Sequence, residues 1–212
     1  MTPAKASARA IEICRMAPVI PVLVIDDVAR AAALARALVA GGLPALEVTL
    51  RTPAALDAIR AMSEVPGGVV GAGTLLTPAD VMAAKAAGAT FGVSPGATDR
   101  LLDACAEHEL PLLAGAATAS EMMALLEKGY TAMKFFPAEQ AGGAGYLKSI
   151  GAPIPQVAFC PTGGINLANA RDYLSLPNVL CVGGAWVAPK EAVARGDWEA
   201  ITALAAEACA LR

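Results

Sequence analysis

The chain has 212 residues, 56% of them hydrophobic and 4% aromatic, with 16 basic and 19 acidic side chains for a formal charge of −3. That length accommodates one domain with a large core and lies within reach of a small α/β barrel. The weakly acidic balance, without a basic patch interleaved with aromatics, gives nucleic-acid binding no support, and no stretch approaches the roughly 18–20 uninterrupted apolar residues of a membrane span.

Residues 1–16 carry Lys5, Arg9, Glu12 and Arg15 at helical spacing and lack a signal-peptide core, so they read as an amphipathic helix of a mature, cytoplasmic protein. An apolar, β-branched run at 18–25 predicts the first strand. Asp26 or Asp27 then caps a helix to about Ala40, closed by Gly41-Gly42. Residues 45–51 predict the second strand, and Thr52-Pro53 reads as a threonine cap followed by proline at the first helical position. The alternation continues: strand 69–74 and helix 77–87, strand 90–94 and helix 98–107, strand 111–115 and helix 119–128. It goes on through strand 132–136 and helix 143–149, strand 156–160 and helix 167–174, then strand 179–182 and a helical tail. Thr118 with Glu121 fits a capping box.

Apolar strands alternating with helices imply a parallel sheet with right-handed crossovers. Eight such units after one extra helix predict a closed (β/α)8 TIM barrel with an extra N-terminal helix, residues 1–212 forming a single domain. The competing doubly wound open sheet lacks its best signal, since no Gly-x-Gly-x-x-Gly follows the first strand.

Two counts narrow the chemistry. His108 is the only histidine and sits at a charged helix end, where it reads as a solvated surface residue. A multi-histidine zinc site cannot form, and a Ser-His-Asp triad has little support. The cysteines are Cys14, Cys105, Cys160, Cys181 and Cys209, odd in number, scattered and without a Cys-x-x-Cys pair, so buried reduced thiols are expected.

A barrel enzyme presents its chemistry at the C-terminal ends of its strands. The second strand offers Glu47, Thr49 and Arg51 on one face by period-two parity. An inward glutamate and arginine are either a structural ion pair or a proton-transfer group beside a carboxylate fork. The third strand ends in Gly71-Ala72-Gly73-Thr74, either a tight bend or a place where a ligand approaches the backbone and meets the Thr74 hydroxyl. Ser94-Pro95-Gly96 ends the fourth strand as a turn able to line a pocket.

Paired glycines follow the seventh strand, in Thr162-Gly163-Gly164, and the eighth, in Gly183-Gly184-Ala185. Those are the positions where barrels commonly bind phosphate through backbone N–H groups. The stretch Met133-Lys134-Phe135-Phe136-Pro137 sets a lysine inside an apolar strand. Lys134 either snorkels to water or, among apolar neighbours that disfavour its charge, serves as a nucleophile towards a carbonyl. With Lys134 as nucleophile, a 2-oxo acid would form an imine, the protonated imine would draw electrons from an adjacent C–C bond, and Glu47 would move protons. No metal or organic cofactor is required by this scheme.

Leu46 to Arg51, Gly71 to Thr74, Ser94 to Gly96, Lys134 to Glu139, Phe159 to Ile165 and Gly183 to Trp186 together, in this order, resemble the class I 2-dehydro-3-deoxyphosphogluconate (KDPG) aldolases, which often also act on 4-hydroxy-2-oxoglutarate (KHG). The resemblance implies a homotrimer that reversibly cleaves a 2-oxo acid sugar phosphate, KDPG, to pyruvate and glyceraldehyde 3-phosphate in the Entner–Doudoroff pathway. It implies Lys134 as Schiff-base lysine and Glu47 as acid/base. Arg51 and Thr74 are expected on the pyruvyl carboxylate, and Phe136 along the pyruvyl pocket. Pro95, Thr162, Gly163, Gly164, Gly184 and Ala185 complete the expected substrate contacts. Relatives commonly have serine at the position of Ala185, so a weaker phosphate grip is expected here. KHG and the C4 epimer of KDPG stand as alternative main substrates.

Overall fold

The computed structural model describes residues 1–212. Helix α1 (Pro3–Cys14) precedes the strands β1 (Val19–Leu23), β2 (Ala45–Thr49), β3 (Val69–Gly73), β4 (Phe91–Val93), β5 (Leu112–Ala116), β6 (Ala132–Phe135), β7 (Ala158–Pro161) and β8 (Val182–Gly184). Helices α2 (Val28–Ala40), α3 (Ala55–Ser63), α4 (Pro78–Ala86), α5 (Asp99–Glu107), α6 (Ala119–Glu127), α7 (Gly143–Ile150) and α8 (Ala170–Leu174) each follow one of the first seven strands, and α9 (Lys190–Arg195) and α10 (Trp198–Cys209) follow the last.

The strands pair in parallel in sequence order, and β1 also pairs with β8. Parallel bridges Phe159↔Val179 and Thr162↔Gly183 tie β7 to the β8 segment, so the sheet closes into the (β/α)8 barrel that the alternation predicts.

Period two divides each strand between two cores. Leu46 and Val48, Val70 and Ala72, Met133 and Phe135 face the helices and join the larger apolar cluster with Leu38, Ile59 and Met62. Inside the barrel lies a smaller cluster that includes Ile20, Ala45, Phe91, Leu113, Ala132, Cys160 and Cys181. Ala10, Ile13 and Cys14 of α1 belong to that inner cluster, so α1 plugs the N-terminal end of the barrel. Thr131 N–H donates to Ser7 Oγ at 2.9 Å, pinning α1 to the start of β6. With its lower end apolar and stoppered, the barrel opens only towards the C-terminal ends of its strands.

Four of the helices after those ends carry side-chain caps, of which Asp27 and Thr118 are the ones the sequence predicts. Asp27, Thr77, Thr98 and Thr118 cap α2, α4, α5 and α6, and the Thr77–Asp80 and Thr118–Glu121 pairs form capping boxes. Each such cap contributes about 1 kcal/mol.

Several expectations shift. Thr52 does not cap a helix: its hydroxyl donates to Ile25 O at 2.5 Å, tying the loop after β2 to the loop after β1. Helix α3 begins later, with Ala54 at the cap and no side-chain hydrogen bond. Strand β8 lies C-terminal to the predicted 179–182, because Val179 makes only a bridge to Phe159 and the ladder with β1 begins at Val182. Arg51 falls beyond the end of β2 and is exposed. His108 is half-buried as the C-cap of α5. No helix is long and apolar enough to cross a membrane.

Candidate active site at the barrel mouth

The ladder register sets the inward residues. Val22 pairs with Glu47 and Glu47 with Gly71, while Gly115 pairs with Lys134 and Lys134 with Cys160. Glu47 on β2 and Lys134 on β6 thereby face each other across the barrel interior. Lys134 Nζ lies 3.3 Å from Glu47 Oε1, with side-chain exposures of 5% and 3%. Snorkelling is overturned: the ammonium is buried and paired. The pairing also replaces the Glu47–Arg51 ion pair that strand parity allowed. The Phe136 ring centroid lies 5.2 Å from Nζ, close enough for a cation–π contact.

Space for the carboxylate comes from β3. A Cβ built on Gly73 would overlap Glu47 Oε1, so only glycine lets this side chain fold across the neighbouring strand. The next residue, Thr74, has φ +64, a left-handed backbone that is unusual for a β-branched residue and marks functional sites more often than others. Its hydroxyl accepts from Arg51 Nε at 3.3 Å, which sets the exposed guanidinium over the mouth. Pro95 is half-buried at the end of β4 with its carbonyl against Gly115.

The loops after β7 and β8 meet on the opposite side. Gly163 and Gly164 both have positive φ, at +105 and +77. Their N–H groups and that of Ala185 have no protein acceptor, which leaves successive backbone donors free for an anion. Thr162 is buried, and its Oγ1 also has no partner. Gly184 is buried where a Cβ would overlap the Trp186 ring, and Ala185 beside it is exposed.

Supporting groups were not visible in the linear pattern. Ala138 N–H donates to Thr162 O at 2.9 Å and Glu139 N–H to Gly163 O at 3.1 Å, so the turn after β6 holds the glycine loop. Asn169 Nδ2 donates to Gly164 O at 3.1 Å. The Tyr173 hydroxyl donates to Glu139, and burial together with that carboxylate pushes the phenol above its ordinary range. Glu139 stands in the lysine motif, but its role as a strut needs the fold to bring α8 beside it.

A cleft of about 500 Å³ lies beside the mouth, lined by Leu23, Ile25, Arg30, Ala185 and Lys190 among others. Lys134 and Glu47 do not line it; of the expected substrate contacts only Ala185 does.

Known proteins share this fold and much of this sequence. A family model for KDPG and KHG aldolases matches residues 10–204. A 2-dehydro-3-deoxy-phosphogluconate aldolase of Pseudoalteromonas atlantica is 54% identical over 194 residues, 91% of this chain and 90% of that protein. The 2-keto-3-deoxy-6-phosphogluconate aldolase of Zymomonas mobilis ZM4, solved with 3-phosphoglycerate, superposes with a TM-score of 0.92 at 51% identity, covering 96% of this chain and 97% of that one. A KDPG aldolase from Legionella pneumophila, with pyruvate captured as a covalent carbinolamine, superposes with a TM-score of 0.91 at 48% identity over 94% and 98% of the two chains. With the family model spanning most of the barrel and relatives at about half identity over nearly its whole length, the chain belongs to the KDPG and KHG aldolase family.

Proposed function

We propose that this protein is a class I aldolase that reversibly cleaves KDPG to pyruvate and glyceraldehyde 3-phosphate. The observation that carries the reading is the buried Lys134–Glu47 pair, a potential nucleophile and a proton carrier 3.3 Å apart inside the barrel. The carbinolamine in the Legionella structure supports imine chemistry for the family, and the 3-phosphoglycerate in the Zymomonas structure supports a phosphorylated three-carbon fragment.

In the cleavage direction, Lys134 passes a proton to Glu47, its freed Nζ adds to C2 of the 2-oxo acid, and Glu47 returns the proton to the carbinolamine hydroxyl, which leaves as water to give the protonated imine. Glu47 takes the proton from the C4 hydroxyl as the C3–C4 bond breaks. The bonding pair flows into the iminium to give an enamine, and the aldehyde leaves. Reprotonation of the enamine at C3 and hydrolysis of the imine return Lys134 and release pyruvate. Arg51 and Thr74 hold the carboxylate, with Pro95 and Phe136 along the pyruvyl pocket. Thr162, Gly163, Gly164, Gly184 and Ala185 receive the distal phosphate through the hydroxyl and free backbone N–H groups. The family resemblance further supports a cytoplasmic homotrimer, which sedimentation equilibrium tests by a mass of three chains.

The decisive comparison is kcat/KM for KDPG beside KHG and the C4 epimer of KDPG, read as pyruvate release. KDPG leads KHG by at least about tenfold if phosphate contacts contribute to binding, and leads its epimer, which carries the same phosphate, only if the site reads the configuration at C4; a higher value for either competitor overturns the assignment. Ala185→Ser adds a hydroxyl at the phosphate end, where a hydrogen bond to a charged group contributes about 1.5–3 kcal/mol. KM for KDPG should fall about tenfold or more with that variant while KM for KHG, which has no phosphate, stays in place. An unchanged KM for KDPG removes Ala185 from the phosphate site.

A further inference from the structure

Three cysteines that are far apart in sequence meet below the catalytic layer. Cys14 ends α1, Cys160 sits in β7 and Cys181 immediately precedes β8. Their exposures are 1%, 3% and 0%, and their Sγ atoms all lie within 4.8 Å of one another. Cys160 is the ladder partner of Lys134, which places the cluster on the strand next to the lysine. The aldolase chemistry uses none of these thiols.

We propose that Cys14, Cys160 and Cys181 form a three-coordinate site for a thiophilic d10 cation, with Cu(I) as the fitting ion. A planar trigonal centre with metal–sulfur bonds of about 2.3 Å sets its sulfurs about 4.0 Å apart, within the spacing this cluster already has. The donor set is all thiol, which selects soft metals and rejects Ca²⁺ and Mg²⁺, whose ligands are oxygens. No fourth His, Cys, Asp or Glu joins the group. A structural zinc site takes four ligands, so three sulfurs alone leave zinc incomplete and suit Cu(I) better. The surroundings, Ala10, Ile13, Ile20, Phe91 and Ala132, are apolar and exclude water.

Coordination converts three thiols and Cu⁺ into a Cu(I) tris-thiolate of charge −2 and releases three protons. Because Cys14 belongs to α1, metal binding also joins the plug to two strands of the barrel wall.

The test is an anaerobic titration of the reduced, full-length protein against Cu(I) held by a chromophoric chelator. Wild type, Cys105→Ser and Cys209→Ser should each withdraw one equivalent. Cys14→Ala, Cys160→Ala and Cys181→Ala should bind at least about 100-fold more weakly. Should those variants fail to fold, copper K-edge absorption of the loaded wild type still decides, with three sulfur neighbours per copper expected. No withdrawal by the wild type, equal withdrawal by the folded alanine variants, or a two-sulfur copper overturns the site.

Discussion

Lys134 and Glu47 are both nearly inaccessible, and nothing but their partner and the face of the Phe136 ring offsets their lost hydration. Desolvating an ion costs several kcal/mol, so a buried pair of this kind adds little net stability and a broken one costs about 3–5 kcal/mol. The single variant Glu47→Leu should therefore lose about that much in urea denaturation. The double variant Glu47→Leu/Lys134→Met should recover most of the loss while remaining inactive. If the double variant is less stable than Glu47→Leu, the pair is a stabilising element rather than one kept for chemistry. Glu47→Gln retains the shape and removes the proton carrier, and kcat for pyruvate release should drop about 10²–10⁴-fold. Thr74 carries a second residue-scale cost in its left-handed backbone. The strain is about 1–2 kcal/mol and the extra entropy of glycine about 0.5–1 kcal/mol. Thr74→Gly should thus raise the denaturation midpoint while raising KM for the 2-oxo acid, and a fall in stability contradicts the strain. Lys134 was legible because a charge inside an apolar strand is conspicuous. Thr74 was legible as a hydroxyl, but its backbone conformation depends on how β3 leaves the barrel and has no local signature.

The elements follow their local signals where those signals are chemical, and depart where they are geometric. The Thr118–Glu121 capping box was readable from spacing alone, and its hydrogen bonds form: Ala117 and Thr118 N–H groups donate to Glu121 Oε2 at 2.8 and 2.9 Å. Those bonds, the one from Ala117 first, lower the Glu121 carboxyl below its usual value. A lowered folded-state value means stability that is present above the unfolded carboxyl range, near pH 4.3, and lost as pH falls through the folded value. Urea midpoints of wild type and Glu121→Gln should therefore differ most near pH 6 and converge as pH drops below about 4; a gap that persists at low pH contradicts the linkage. At Thr52-Pro53 an equally good local signal misleads: the helix starts only at Ala55, and the Thr52 hydroxyl instead donates to Ile25 O in the preceding loop. Strand β8 is short, and the apolar residues before it drew the predicted boundary towards the N-terminus.

At the scale of the whole molecule, the barrel separates two chemistries along its axis. Its mouth gathers Lys134, Glu47, Thr74 and the free N–H groups of the β7 and β8 loops, while its stoppered end gathers three thiols under α1. The eightfold alternation and the residues at the strand ends were enough to anticipate the first. The second was invisible, since Cys14, Cys160 and Cys181 converge only when α1 closes the barrel against β7 and β8. The account turns on covalent attachment at one atom. Incubation with pyruvate and sodium borohydride followed by peptide mass spectrometry should fix a reduced pyruvyl adduct on Lys134 and abolish activity. An unmodified Lys134, or an adduct confined to another lysine, would contradict the Schiff-base mechanism at its first step.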